Sequence, residues 1–87
     1  MAFKDYEAGL DDFIKADSLL ATKYPPEDGN RVALLALIGG AEHKAGNYAD
    51  SEQHYREYAD RTRGLYGENS LEHINARIFL ANAEGFA

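Results

Sequence analysis

Apolar positions recur at helical spacing in four stretches of this chain, with breaks between them. In the first, about residues 3–23, Tyr6, Leu10, Phe13, Ile14, Leu20 and Ala21 fall three, four or seven apart, as one face of a helix requires. Tyr24-Pro25-Pro26-Glu27-Asp28-Gly29 ends it, since consecutive prolines cannot continue a helix. The second stretch, about residues 30–45, has Asp28 or Asn30 as its N-cap and is apolar nearly all round from Val32 to Ile38. It should therefore be covered on more than one side. Gly46-Asn47 breaks it. The third, about residues 48–65, turns Tyr48, Tyr55, Tyr58 and Leu65 toward one side, and Gly64 and Gly67 close it. In the fourth, about residues 70–85, Asn69 stands three before Glu72 like a capping box. No run of alternating β-branched residues competes. The pattern predicts an all-α fold of four antiparallel helices, arranged as stacked helical hairpins.

The pattern also repeats weakly, at a spacing of 42 residues. Tyr6 falls on Tyr48, Tyr24 on Tyr66, and Ala41-Glu42 on Ala83-Glu84. Similar residues fill the gaps: Gly9 with Ser51, Phe13 with Tyr55, Val32 with Ile74, Ile38 with Leu80, Gly39 with Ala81. One register thus runs through two helices and two loops. Small residues at Gly9, Gly39, Ser51 and Ala81 are candidates for close helix crossings, with Phe13 and Tyr55 as wedges beside them, because a large side chain there would force the axes apart. Two glycines inside a helix, Gly39-Gly40, would otherwise cost roughly 2 kcal/mol relative to alanines.

These residues resemble the tetratricopeptide repeat. Leu35-x2-Ile38-Gly39-x2-Glu42 is similar to the first half of its motif, with Glu42 in place of the aromatic. Ser51-x3-Tyr55 and Gly9-x3-Phe13-x2-Ala16 are similar to the second half, and Arg77-x2-Leu80-Ala81-x2-Glu84 to the first. Gly46-Asn47-Tyr48 resembles the turn inside a repeat, and Lys4-Asp5-Tyr6 its degraded earlier copy. The long period and the segment 65–70 resemble kinesin light chain repeats. In this register the chain opens on a second helix and closes on a first, so only residues 30–65 form a complete repeat. The chain is then a piece of a longer array, or its open faces are closed by a second copy or a partner.

The resemblance implies a groove lined by the first helix of each repeat. Its positions here are Ala33, Ala36, Leu37, Gly40, His43 and Lys44, then Asn75, Ile78, Phe79 and Asn82. Kinesin light chain repeats carry ligand-clamping asparagines in the middle of that helix. This chain has Ala36-Leu37 and Ile78-Phe79 there, which favours an apolar groove or a self-association surface.

Composition narrows the function classes. Eighty-seven residues make one domain, 1–87, with a thin core. The absence of cysteine excludes disulfides and zinc–thiolate sites. A net charge of −6 argues against nonspecific nucleic-acid binding and against anionic membranes. The longest apolar run, Val32 to Ile38, is far short of a membrane span, and the polar start of the chain has no signal-peptide core. A cytoplasmic protein is the expectation. The acids are uneven: Asp5, Glu7, Asp11, Asp12, Asp17, Glu27 and Asp28 against Lys4, Lys15 and Lys23 leave −4 on residues 1–28. That is a solvated face or a docking surface for a basic partner.

No nucleophile motif, phosphate loop or metal spacing occurs, and His43, His54 and His73 read as solvated or capping. Asp11 and Asp12 point to different sides of a helix. Most aromatics read as core, with Tyr58, Tyr66, Phe79 and Phe86 as possible exposed anchors. No enzyme activity, cofactor or metal is expected. The function expected is binding of a peptide or helix of a protein partner through an apolar groove. One alternative is a homo-oligomeric structural protein or a small subunit of a larger assembly. Another is a small acidic regulator that occupies a basic partner.

Overall fold

The computed structural model describes residues 3–85, with side chains described from Gly9 onward. They form four helices: α1 (Phe3–Ala21), α2 (Gly29–Lys44), α3 (Tyr48–Tyr66) and α4 (Leu71–Glu84). The fold is all-α, and each helix lies within a few residues of its expected span. Contacts across the three junctions run in opposite directions along successive helices. Asp17 meets Arg31, Gly39 meets Ser51, and Tyr55 meets Phe79 while Thr62 meets His73. Among the described residues, extensive packing joins only consecutive helices, so the helices stack as a slab of 37 × 33 × 17 Å.

Local chemistry sets the ends. Asp28 caps α2, its carboxylate accepting from the backbone N–H of Asn30 at 2.9 Å and of Arg31 at 3.3 Å. Arg31 then reaches back, donating from Nη1 to the Tyr24 carbonyl at 3.1 Å, which ties the proline loop to α2. At the other end of α2, Gly46 takes φ +87°, open to glycine without strain. Its N–H donates to the His43 carbonyl and that of Asn47 to the Glu42 carbonyl, a pair of bonds that reverses the chain into α3. Gly67, at φ +97°, ends α3, whereas Gly64 lies inside that helix.

Two local expectations fail here. Ser70, not Asn69, caps α4: its Oγ accepts from the His73 N–H at 3.1 Å, so the box with Glu72 does not form. Lys4-Asp5-Tyr6 is not a turn, because the backbone is already helical from Phe3. Of the residues expected on one side of α3, Tyr55 is buried, whereas Tyr48 and Leu65, toward the two ends of the helix, are exposed.

The core sits around α2. Leu10 of α1 packs with Leu34 and Ile38, and Phe13, Ala16, Leu20 and Ala41 close around them. Val32, Leu34, Leu35 and Ile38 are all buried, as a helix covered by α1 on one side and α3 on the other must be. Burying each such side chain is worth roughly 1.5–3 kcal/mol. Among the described aromatics, Tyr55 alone is buried; Tyr24, Tyr48, Tyr66 and Phe79 are exposed. The expectation that most aromatics are core therefore does not hold for the described side chains. A slab one helix wide has too little interior for them.

Candidate functional site: two apolar hollows and a tight crossing

The tight crossing lies between α2 and α3. A Cβ on Gly39 would stand 3.0 Å from Tyr55 Cε1 and 3.1 Å from its Cδ1. One on Gly40 would stand 3.4 Å from the Tyr55 hydroxyl. Ser51, fully buried, donates from Oγ to the Gly39 carbonyl at 2.7 Å. Tyr55 fills the space beside the glycines and stacks its other side on Phe79, ring centroids 5.6 Å apart. Tyr58 leans on the same ring at 6.5 Å.

The other two expected crossing positions behave differently. A Cβ on Gly9 meets nothing within 4 Å among the described residues, and Ala81 is exposed. Neither is a crossing within the chain. Both occupy the register of Ser51 and Gly39, but each lies on a face that no other described helix covers. The α3–α4 crossing uses Ala59, Thr62, Ala76 and Ala83 instead, all buried.

Two apolar hollows of about 270 Å³ each open on the surface. The first lies between α1 and α2 and is lined by Gly9, Phe13, Ala36, Leu37, Gly40, Ala41 and Lys44. The second lies on the outer face of α4 and is lined by Ile74, Arg77, Ile78 and Ala81. Of the expected groove residues, Ala36, Leu37, Gly40 and Lys44 come together in the first and Ile78 in the second. Ala33, Asn75 and Asn82 are exposed outside both linings. His43 packs edge-on against Tyr48 at 5.1 Å, and Phe79 is held by Tyr55. Groove positions on α2 and α4 thus do not share one hollow, because α3 stands between the helices as their common neighbour. Phe86 lies outside the described residues.

The α4 hollow belongs to an apolar stripe. Leu71, Ile74, Ile78 and Ala81 follow one another at helical spacing, and the first three are 70%, 43% and 53% exposed. The opposite face of α4, with His73, Ala76 and Ala83, is the one buried on α3.

Polar groups missed in the sequence sit at the two junctions of α3. His73 is buried rather than solvated. Its Nδ1 donates to the Ala59 carbonyl at 3.0 Å, with Thr62 Oγ1 at 3.3 Å. His54 Nδ1 lies 2.6 Å from Glu42 Oε1 and 3.1 Å from the Asp50 carbonyl. Both partners accept when Glu42 is ionised, which places the ring proton on Nδ1. Burial pushes the Glu42 carboxyl above its ordinary range, and Asp50 adds to this, while the charge and hydrogen bond of His54 pull it down. Glu42 and His54 lie 12 residues apart on different helices, so no local spacing in the sequence signals the pair. Among the described residues, no cluster of histidine and acidic side chains is arranged to hold a metal ion.

Compared with known proteins, the chain matches no family model, curated protein or solved structure. No helix among the described residues is long and apolar enough to cross a membrane.

Proposed function

We propose that this chain is a tetratricopeptide-like, non-enzymatic module that binds a helix or apolar segment of a protein partner in the hollow between α1 and α2. The observation that carries this reading is the hollow itself. It is lined by Phe13, Ala36, Leu37 and Ala41, with glycines at 9 and 40 that let a partner's backbone approach closely. Leu37, 52% exposed at its edge, is an apolar residue the chain does not cover itself. A cytoplasmic setting is part of the proposal. The histidines and acids described above serve packing and capping, which supports a role without catalysis.

The test is selection of peptides from a displayed library on the immobilised protein, followed by affinity measurements on the selected peptides. Binding in the apolar hollow predicts a loss of at least about tenfold on Leu37→Asp and little change with salt. Peptides that bind Leu37→Asp equally well, or that are released by salt, would locate binding on the acidic face of α1 and overturn the reading.

A further inference from the structure

We infer that the partner of this groove is a second copy of the chain, docked head to tail, with the outer face of α4 from one copy seated on the Gly9–Phe13 face of α1 in the next. The inference rests on the groove reading above and gives it a specific occupant.

Each hollow carries residues that stand 42 positions from one side of a contact already present inside the chain. The four residues lining the α4 hollow, Ile74, Arg77, Ile78 and Ala81, stand 42 residues after Val32, Leu35, Ala36 and Gly39 of α2. Gly9 and Phe13 stand 42 residues before Ser51 and Tyr55 of α3. The α2–α3 crossing is therefore a template for α4 against a second copy's α1. Among the described residues, α2 is flanked by α1 and α3, whereas α4 packs extensively against α3 only and α1 against α2 only. Stacking copies supplies both missing neighbours at once.

The substitutions between template and proposed contact act in both directions. Gly39 becomes Ala81, whose Cβ would press on the Phe13 ring as one on Gly39 would press on Tyr55 at 3.0 Å, so that ring must shift, and Ser51 becomes Gly9, which gives up the hydroxyl bond of the template. Gly40 becomes Asn82, which needs room, while Tyr55, whose hydroxyl lies 3.4 Å from a Cβ at Gly40, becomes Phe13, which lacks that hydroxyl. The charges are also worse placed than in the template. Glu42 and His54 become Glu84 and Asp12, two acids, in a molecule already at −6. The contact is thus a weak one, strengthened by salt. Joining two different faces, it does not close on itself as a twofold dimer would.

Sedimentation equilibrium of the intact chain, carried to millimolar concentration, tests this with two variants placed in open surface. Gly9→Gln blocks only the α1 face, and Ala81→Gln only the α4 face. Neither site is packed within the chain, and circular dichroism checks that both variants stay folded. The wild type should pass through dimer to larger species. Each variant alone should remain monomeric. Their equimolar mixture should form dimers and stop there, because one good face of each kind remains. Asp12→His should tighten association several-fold. A wild type that stays monomeric overturns the inference, as does a mixture that fails to dimerise or a dimer indifferent to both variants. If such a monomer still binds selected peptides through Leu37, the groove reading stands without the copy. If Leu37→Asp changes nothing, both fall.

Discussion

Helices α2 and α4 occupy the same place in the 42-residue period and meet opposite fates. In α2, Val32 is 2% exposed and Gly39 lies beneath Tyr55. In α4, the corresponding Ile74 is 43% exposed and Ala81 is open. The residues are alike in kind, so the difference comes from the neighbours. A helix in a stack is apolar on two faces because two helices are meant to touch it. Where only one described helix covers it, as on α4, the same pattern leaves a stripe in water. An exposed leucine or isoleucine is ordinary on any surface, but four apolar positions in a row along a helix are a face made for contact.

The strongest way to break this comparison is to enlarge both small residues. Gly39→Leu should destabilise the fold by roughly 1–3 kcal/mol through overpacking against Tyr55, exceeding the gain of about 1 kcal/mol in helix propensity. Ala81→Leu should leave stability within about 0.5 kcal/mol. Urea unfolding of the two variants reads both, and a stabilised Gly39→Leu would mean that the crossing has slack. Next in size is the buried hydroxyl beside it. Ser51→Ala should cost about 1 kcal/mol, since its bond to the Gly39 carbonyl is lost without access to water. Gly9→Ser, the same position on the open face, should stabilise by up to about 0.5 kcal/mol from helix propensity alone. Equal responses at the two sites would erase the distinction between covered and open crossings.

The smallest effect concerns charge. Burial raises the Glu42 carboxyl above its unfolded value, so the folded state holds this proton more tightly. Its contribution to stability is fully present below the ordinary carboxylate pKa and is lost as pH rises through the raised value. Glu42→Gln removes that loss. The variant should be slightly more stable than wild type at pH 7, and the gap should shrink as pH falls toward 4. A gap that instead widens on acidification would show that the His54 pair, not burial, governs this carboxyl. Glu84, at the equivalent place on α4, is half exposed and paired with Arg56 at 3.6 Å.

Much of the architecture was legible because helix periodicity, proline pairs and glycine turns are local signals. The Gly46 turn and the ends of α2 and α3 follow from a few adjacent residues. The close approach at Gly39 was also legible, since two adjacent glycines inside a helix need a packing reason. What could not be read was set by tertiary neighbours. Ser70 outcompetes Asn69 as a cap by one residue, a difference that depends on where the loop after Gly67 lets the helix begin. Gly9 and Ala81 look like Ser51 and Gly39 in sequence, but a repeat pattern does not say which faces find a neighbour. His73 reads as polar and is buried, because the Ala59 carbonyl and Thr62 hydroxyl that satisfy it lie on another helix.

The succession of helices, each leaning chiefly on the ones beside it in sequence, has a kinetic consequence. Every major contact forms by folding the chain back across a single short connection, so little loop entropy is lost before packing repays it. Such a chain should refold within microseconds to milliseconds, with the α2–α3 hairpin forming first and the outer helices zipping on. Amide hydrogens in that hairpin should exchange last, and those of α4 should exchange through openings that leave the centre intact.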